Sequence, residues 1–225
     1  MMDELRPRVY EILALAFRRP AAGLIGALAR RDTRDLLFDA AGLLLVPQSI
    51  QWKELGRFCK DVQARGAETV ASELLMEYGR LFLGPGPLRC PPYGSIYLDG
   101  AVMGPSALDV VRRYAAEGLR VGPSWREPPD HVAIELGFMA WLSAAHSRAA
   151  DAGETREEAR LLRIQAEFLC DHLGRWGPLF AERLGQVTSC HIFRFLSGFL
   201  SAWLSLDGEL LRAALAETRV NAGCG

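Results

Sequence analysis

The prolines of this chain are concentrated in one stretch. Eight of the twelve lie between Pro85 and Pro129, and ten of the 22 residues from Gly84 to Pro105 are Gly or Pro. Proline fixes φ and pushes its predecessor towards extended backbone, so no regular helix crosses such a run.

On either side the apolar residues recur at helical spacing. Val9, Leu13, Ala16 and Phe17 mark one segment, closed by Pro20, and Leu36, Leu37, Leu43 and Leu44 mark another that ends at Pro47. Trp52, Leu55 and Phe58 open a third, and Leu74, Leu75, Tyr78, Leu81 and Phe82 run to a hard stop at Gly84-Pro85. Beyond the interruption, Ser106 to Glu117 reads as a helix with Gly118 at its C′ position. The most apolar helix follows. Val132, Leu136, Met139 and Ser143 form one of its faces, and Ile134, Phe138, Trp141 and Ala145 form another, which predicts partners on both sides. Asp151 to Cys170 has a charged outer face and an inner stripe of Leu161, Ile164 and Phe168. Ile192, Phe195, Phe199, Trp203 and Leu206 make a last strong stripe, with Asp207 to Arg219 as a separate short helix. There is no period-2 strand and no internal repeat. The expected fold is all-α: a single helical domain over residues 1–225, of nine or ten helices, with residues 84–105 as a long ordered loop that hinges its two halves.

Charge and composition exclude several classes. A net charge of −1 lacks the basic surplus that nucleic-acid binding needs. Only two of the 26 basic residues are lysines, Lys53 and Lys60, and the arginines are scattered among acids. Acids at Asp3 and Glu4, with no apolar run behind them, do not make a secretory signal, and no stretch is long and apolar enough for a membrane span. Five dispersed cysteines without a Cys-x-x-Cys suit a reducing compartment, so a cytoplasmic location is expected. Cys170-x-His172 and Cys190-His191 have the wrong spacing for a structural zinc module. No cofactor motif is present: there is neither a phosphate-binding Gly-Lys-Ser/Thr loop nor a Gly-x-Ser-x-Gly nucleophile elbow.

Two elements in the interruption carry chemistry. Pro91-Pro92-Tyr93-Gly94-Ser95-Ile96-Tyr97-Leu98-Asp99 is a restrained, aromatic, backbone-rich stretch, suited either to lining a peptide groove or to lying buried across the core. Glu127-Pro128-Pro129-Asp130-His131 opens the most apolar helix, with the prolines at its first positions and Glu127 or Asp130 facing its free N–H groups. A metal reading of this helix would join Glu127, His131 and Glu135 at i, i+4, i+8, in the manner of a carboxylate–histidine metalloenzyme.

These elements resemble the TorD/DmsD/NarJ family of chaperones for twin-arginine-exported molybdoenzymes. Tyr78-Gly79-Arg80-Leu81-Phe82 is similar to its aromatic-x-x-Leu-Phe element, Gly84-Pro85-Gly86-Pro87 and Pro91-Pro92-Tyr93 to its proline loop, and Glu127-Pro128-Pro129-Asp130-His131 to its Glu-Pro-x-Asp-His helix start. Gly94 stands where members commonly carry Glu, and Tyr93 where many carry Trp. The resemblance implies a non-enzymatic cytoplasmic chaperone without a cofactor, a monomer or a domain-swapped dimer. Its partner would be the precursor of a molybdopterin oxidoreductase catalytic subunit. It would hold the twin-arginine leader until the cofactor is inserted, delaying export; binding the client's folded body is the alternative. The leader's arginines would be gripped by Asp130 and Glu127 beside His131, and its apolar segment would lie on Tyr78, Leu81, Phe82, Pro92, Tyr93 and Trp125. On this basis the two proline-bearing elements face each other across the peptide groove, and Asp130→Ala with Tyr93→Ala weakens binding while leaving the melting temperature nearly intact.

Overall fold

Helical periodicity is realised almost throughout the chain. The computed structural model describes residues 2–43, 51–83 and 88–223. The expected helix end at Leu44 to Pro47, the Gly84-Pro85-Gly86-Pro87 run and Cys224 lie outside the described residues. The helices are α1 (Met2–Ala16), α2 (Ala22–Ala29), α3 (Arg31–Gly42), α4 (Trp52–Arg65), α5 (Ala67–Tyr78), α6 (Gly94–Leu98), α7 (Pro105–Ala116), α8 (Val132–Asp151), α9 (Thr155–Phe168), α10 (Gly174–Val187) and α11 (His191–Gly223). Ten of these have eight residues or more; α6 is a single turn inside the proline-rich stretch. Single π-turns, Gly79–Leu83 and Leu169–Leu173, follow α5 and α9. Among the described residues there is no strand, only an isolated antiparallel bridge between Tyr93 and His131.

The centre of the core is α8. Val132, Leu136 and Met139 are fully buried, and α8 packs on α1 and α9. Its second apolar face is covered only in part: Phe138 is buried, but Ile134, Trp141 and Ala145 are half-buried. That face therefore does not have the full partner its sequence predicts.

Three local features differ from the sequence expectation. The helix expected to start at Asp207 does not exist, because α11 runs unbroken through it. Asp207 is 0% exposed and accepts hydrogen bonds from Arg6 Nε (2.5 Å) and the Tyr10 hydroxyl (2.6 Å). Arg6 also donates to Gln165 Oε1, which accepts from Ser143, so one buried polar cluster ties α1 to α8, α9 and α11. Asp207, expected at the start of a separate helix, is here the paired acid of a buried ion pair. Second, the helix begun at α5 widens into a π-turn at Gly79 rather than continuing regularly. Third, Pro128 and Pro129 precede α8 instead of forming its first turn, and His131 is the N-cap, its Nδ1 accepting from the Ala133 N–H at 3.1 Å. Gly118, at φ +71°, ends α7 as expected.

Candidate functional site

The two proline-bearing elements meet directly. Val132 N–H donates to Pro92 O (2.8 Å) and Gly94 N–H to Asp130 O (3.0 Å), so they are joined as a short ladder with no groove between them. The Asp130 carboxylate does not cap its own helix. Its Oδ2 accepts from the Ser95 N–H at 2.7 Å, capping α6, whose own N-cap residue, Tyr93, makes no side-chain cap. Glu127 is held by the Tyr93 hydroxyl, which donates to its Oε2 at 2.5 Å. Burial, then that carboxylate, push the Tyr93 hydroxyl well above its ordinary range and keep it a donor.

Because His131 Nδ1 accepts a hydrogen bond, its ring proton sits on Nε2 in the neutral form. Burial holds His131 neutral, lowering its pKa to about 3. His131 Nε2, Asp130 Oδ1 and Trp125 Nε1 are buried atoms with no hydrogen-bond partner among the described residues. Such atoms are uncommon and cluster where a site is incomplete without its ligand or solvent. The rings of Tyr93 and Trp125 flank His131 edge-on, at 5.6 and 5.2 Å.

Tyr78, Leu81 and Phe82 are core residues, at 3%, 0% and 1% exposure, and Pro92 is buried as well. Phe82 packs against Tyr78, Phe180 and Phe193. A helical stripe marks an inward face and an exposed groove equally well, and these side chains went inward. They offer no surface to a peptide. Of the nine expected contacts, only Trp125 and Glu127 are half-buried, while Asp130, His131 and Tyr93 form the framework beneath them.

The metal reading fails on geometry. Glu127 is bonded to Tyr93, His131 caps α8, and Glu135 turns to the second π-turn and α10, its carboxylate meeting His172 Nε2 at 2.7 Å and Trp176 Nε1 at 3.0 Å. Burial raises the Glu135 pKa, against the pull of His172 and Trp176. The second Cys–His pair is also split between partners: His191 Nδ1 lies 2.5 Å from Glu54 Oε2, and burial pushes the Cys190 thiol up to about 11. No group of three or more metal-binding side chains converges among the described residues.

An open trough of about 600 Å3 lies beside this framework. Its walls are α1 (Pro7, Glu11, Ala14, Leu15) with Arg18 just beyond it, the connection after α7 (Leu119, Arg120, Val121, Trp125) and the half-covered face of α8 (Ile134, Gly137, Phe138, Trp141). The Arg18 guanidinium sits 5.8 Å over the Trp125 ring. Sequence reading missed this trough, although two signals pointed to it. One was the second apolar face of α8. The other was Gly137, which should cost about 1 kcal/mol against Ala in a helix interior. Among the described residues, no atom outside the neighbouring backbone of α8 lies within 4 Å of where a Gly137 Cβ would stand, so packing gives no reason for the glycine.

A sequence model of the family described as nitrate reductase delta subunit matches residues 47–182, from before α4 into α10. The chain belongs to this family. Within the NarJ/TorD family, it is 31% identical over 150 residues to a chaperone protein TorD of Vibrio cholerae serotype O1, covering 65% of this chain and 66%, just under two thirds, of that relative. It is 24% identical to a TorD of Shewanella pealeana, over 95% of this chain and 93% of the relative. A crystal structure described as a redox enzyme maturation protein from Archaeoglobus fulgidus has a like fold, with a TM-score of 0.53 at 21% identity, over 88% of this chain and 93% of that one. The family match takes in the α8 wall of the trough and stops short of α1. Among the described residues no helix is long and apolar enough to cross a membrane.

Proposed function

We propose that this chain is a chaperone that binds the twin-arginine leader of a molybdopterin oxidoreductase precursor in the cytoplasm, assisting cofactor insertion and delaying export. The carrying observation is the open, apolar trough between α1 and α8, bordered by the element that resembles the family's Glu-Pro-x-Asp-His start. A twin-arginine leader supplies an apolar segment to fill such a trough. Each large apolar side chain buried there adds about 1.5–3 kcal/mol before ordering costs. Trp125 is then a direct contact, while Glu127, held by the Tyr93 hydroxyl, is outside the trough's lining. Asp130, His131 and Tyr93 act as positioning residues that fix where Trp125 and the head of α8 stand. Kinship with proteins named chaperones supports the same assignment.

The test is association with the precursor of a molybdoenzyme catalytic subunit that co-purifies with this protein, with and without its leader. Removing the leader should abolish most of the affinity. Equal affinity for the leaderless form would mean that the client's folded body is the contact.

A further inference from the structure

The trough has a direction. Arg18 lies two residues beyond the C-terminal end of α1, on Trp125 and close to the start of α8. Arg6, near the other end of α1, reaches Gln165 and through it Ser143, late in α8. The two walls therefore run antiparallel. One mouth carries Arg18, and Arg120 lines the trough on the connection that leads to Trp125; both are exposed and neither is in an ion pair with any described acid. Towards the other mouth, two turns back along α1, stands Glu11, exposed and likewise without an ion-pair partner.

The walls also limit the occupant's conformation. Both α1 and α8 satisfy their backbone groups internally along these lengths, so an extended peptide in this apolar trough would leave its own N–H and C=O groups unpaired. A helix satisfies them itself. The lining positions on α1 run from Pro7 to Leu15, roughly 12 Å of helix rise, and Arg18 just past its end extends this wall to about eleven residues, or three turns. Gly137, with nothing near its Cβ position, lets another backbone come close to α8 at mid-trough.

Resting on the leader-binding assignment above, we infer that the trough takes its occupant as a three-turn apolar helix in one direction only, with its N-terminal basic flank at the Glu11 mouth and its C-terminus at Arg18. A helix carries partial positive charge at its N-terminus and partial negative charge at its C-terminus, so dipole and flanking arginines favour the same orientation. Reversal would set arginine against arginine at one mouth.

Two amidated, N-acetylated synthetic peptides test the direction: two adjacent arginines followed by about eleven Leu and Ala residues, and the same sequence reversed. Titrated at low salt, the protein should bind the forward peptide about three- to tenfold more tightly. The Glu11→Arg, Arg18→Glu double variant should invert that preference, and circular dichroism confirms its folding. As a second readout, a photo-crosslinker beside the arginines of the forward peptide should label the Pro7 to Glu11 end of α1, and one at its far end the Trp125 region. Equal affinities, a preference unmoved by the double variant, or crosslinks at the opposite ends would overturn the direction while leaving leader binding standing. Failure of both peptides to bind would overturn leader binding itself.

Discussion

The Asp130 carboxylate caps a helix that begins 36 residues earlier in the chain, accepting the Ser95 N–H at 2.7 Å from a fully buried position. An acid that looks like a ligand contact in the sequence is thus a structural clasp between the proline loop and the core helix. Its function is carried by where it sets its neighbours.

That clasp changes what substitution should do. Asp130→Ala removes the cap of α6 and should lower unfolding free energy by about 1–2 kcal/mol. Tyr93→Ala truncates a buried ring and should cost roughly 3 kcal/mol or more. Urea unfolding of the two single variants and the double variant checks both values. The nearly unchanged melting that the sequence implied for the double variant is not expected, since both side chains are buried.

Gly94 is fixed by space rather than by backbone freedom. A Cβ there would stand 2.9 Å from Trp176 Nε1 and 3.1 Å from Glu135 Oε1. Gly94→Ala should therefore destabilise by about 1–3 kcal/mol. Gly94→Glu, which restores the residue common in the family, should be far worse, because it places a second carboxylate beside the buried Glu135. Thermal melting of the two variants should rank them in that order.

His131 gives the fold a pH dependence with a definite sign. Its folded pKa is lowered to about 3 from an ordinary 6.5. The unfolded chain therefore binds a proton below pH 6.5 that the folded chain refuses, and this stability is present above 6.5 and lost as pH falls towards 3. Between pH 6.5 and 5 the loss should be roughly 2 kcal/mol. Glu135 works the other way, since burial raises its carboxyl above the ordinary 4.5 and favours the protonated folded form. Comparing denaturant unfolding of the wild type with His131→Asn, which keeps a cap acceptor for Ala133, isolates the histidine: the variant's stability should fall less steeply over that range.

The helices were legible because their inward stripes are long and strongly periodic, as in Phe195, Phe199 and Trp203 on α11. What periodicity does not reveal is whether a stripe is covered. Leu81 and Phe82 read as groove lining and are core, whereas Ile134 and Trp141 read as core and line the trough. The partners of buried polar groups were equally hidden, because they lie far off in sequence: Asp207 with Arg6, Asp130 with Ser95, and Glu135 with His172. Local pattern gave Asp130 and Glu135 local roles, and tertiary pairing replaced them.

The most direct test of a leader-binding trough between α1 and α8 is a pair of substitutions at Gly137, read by thermal melting and by calorimetric titration with a synthetic leader of two arginines and an apolar segment. Gly137→Ala should stabilise α8 by about 0.5–1 kcal/mol. Gly137→Leu should fold with no loss of stability, since its Cβ position is open, yet weaken the peptide about 10- to 100-fold by filling the middle of the trough. A stable Gly137→Leu protein that binds the leader as tightly as the wild type would contradict the account.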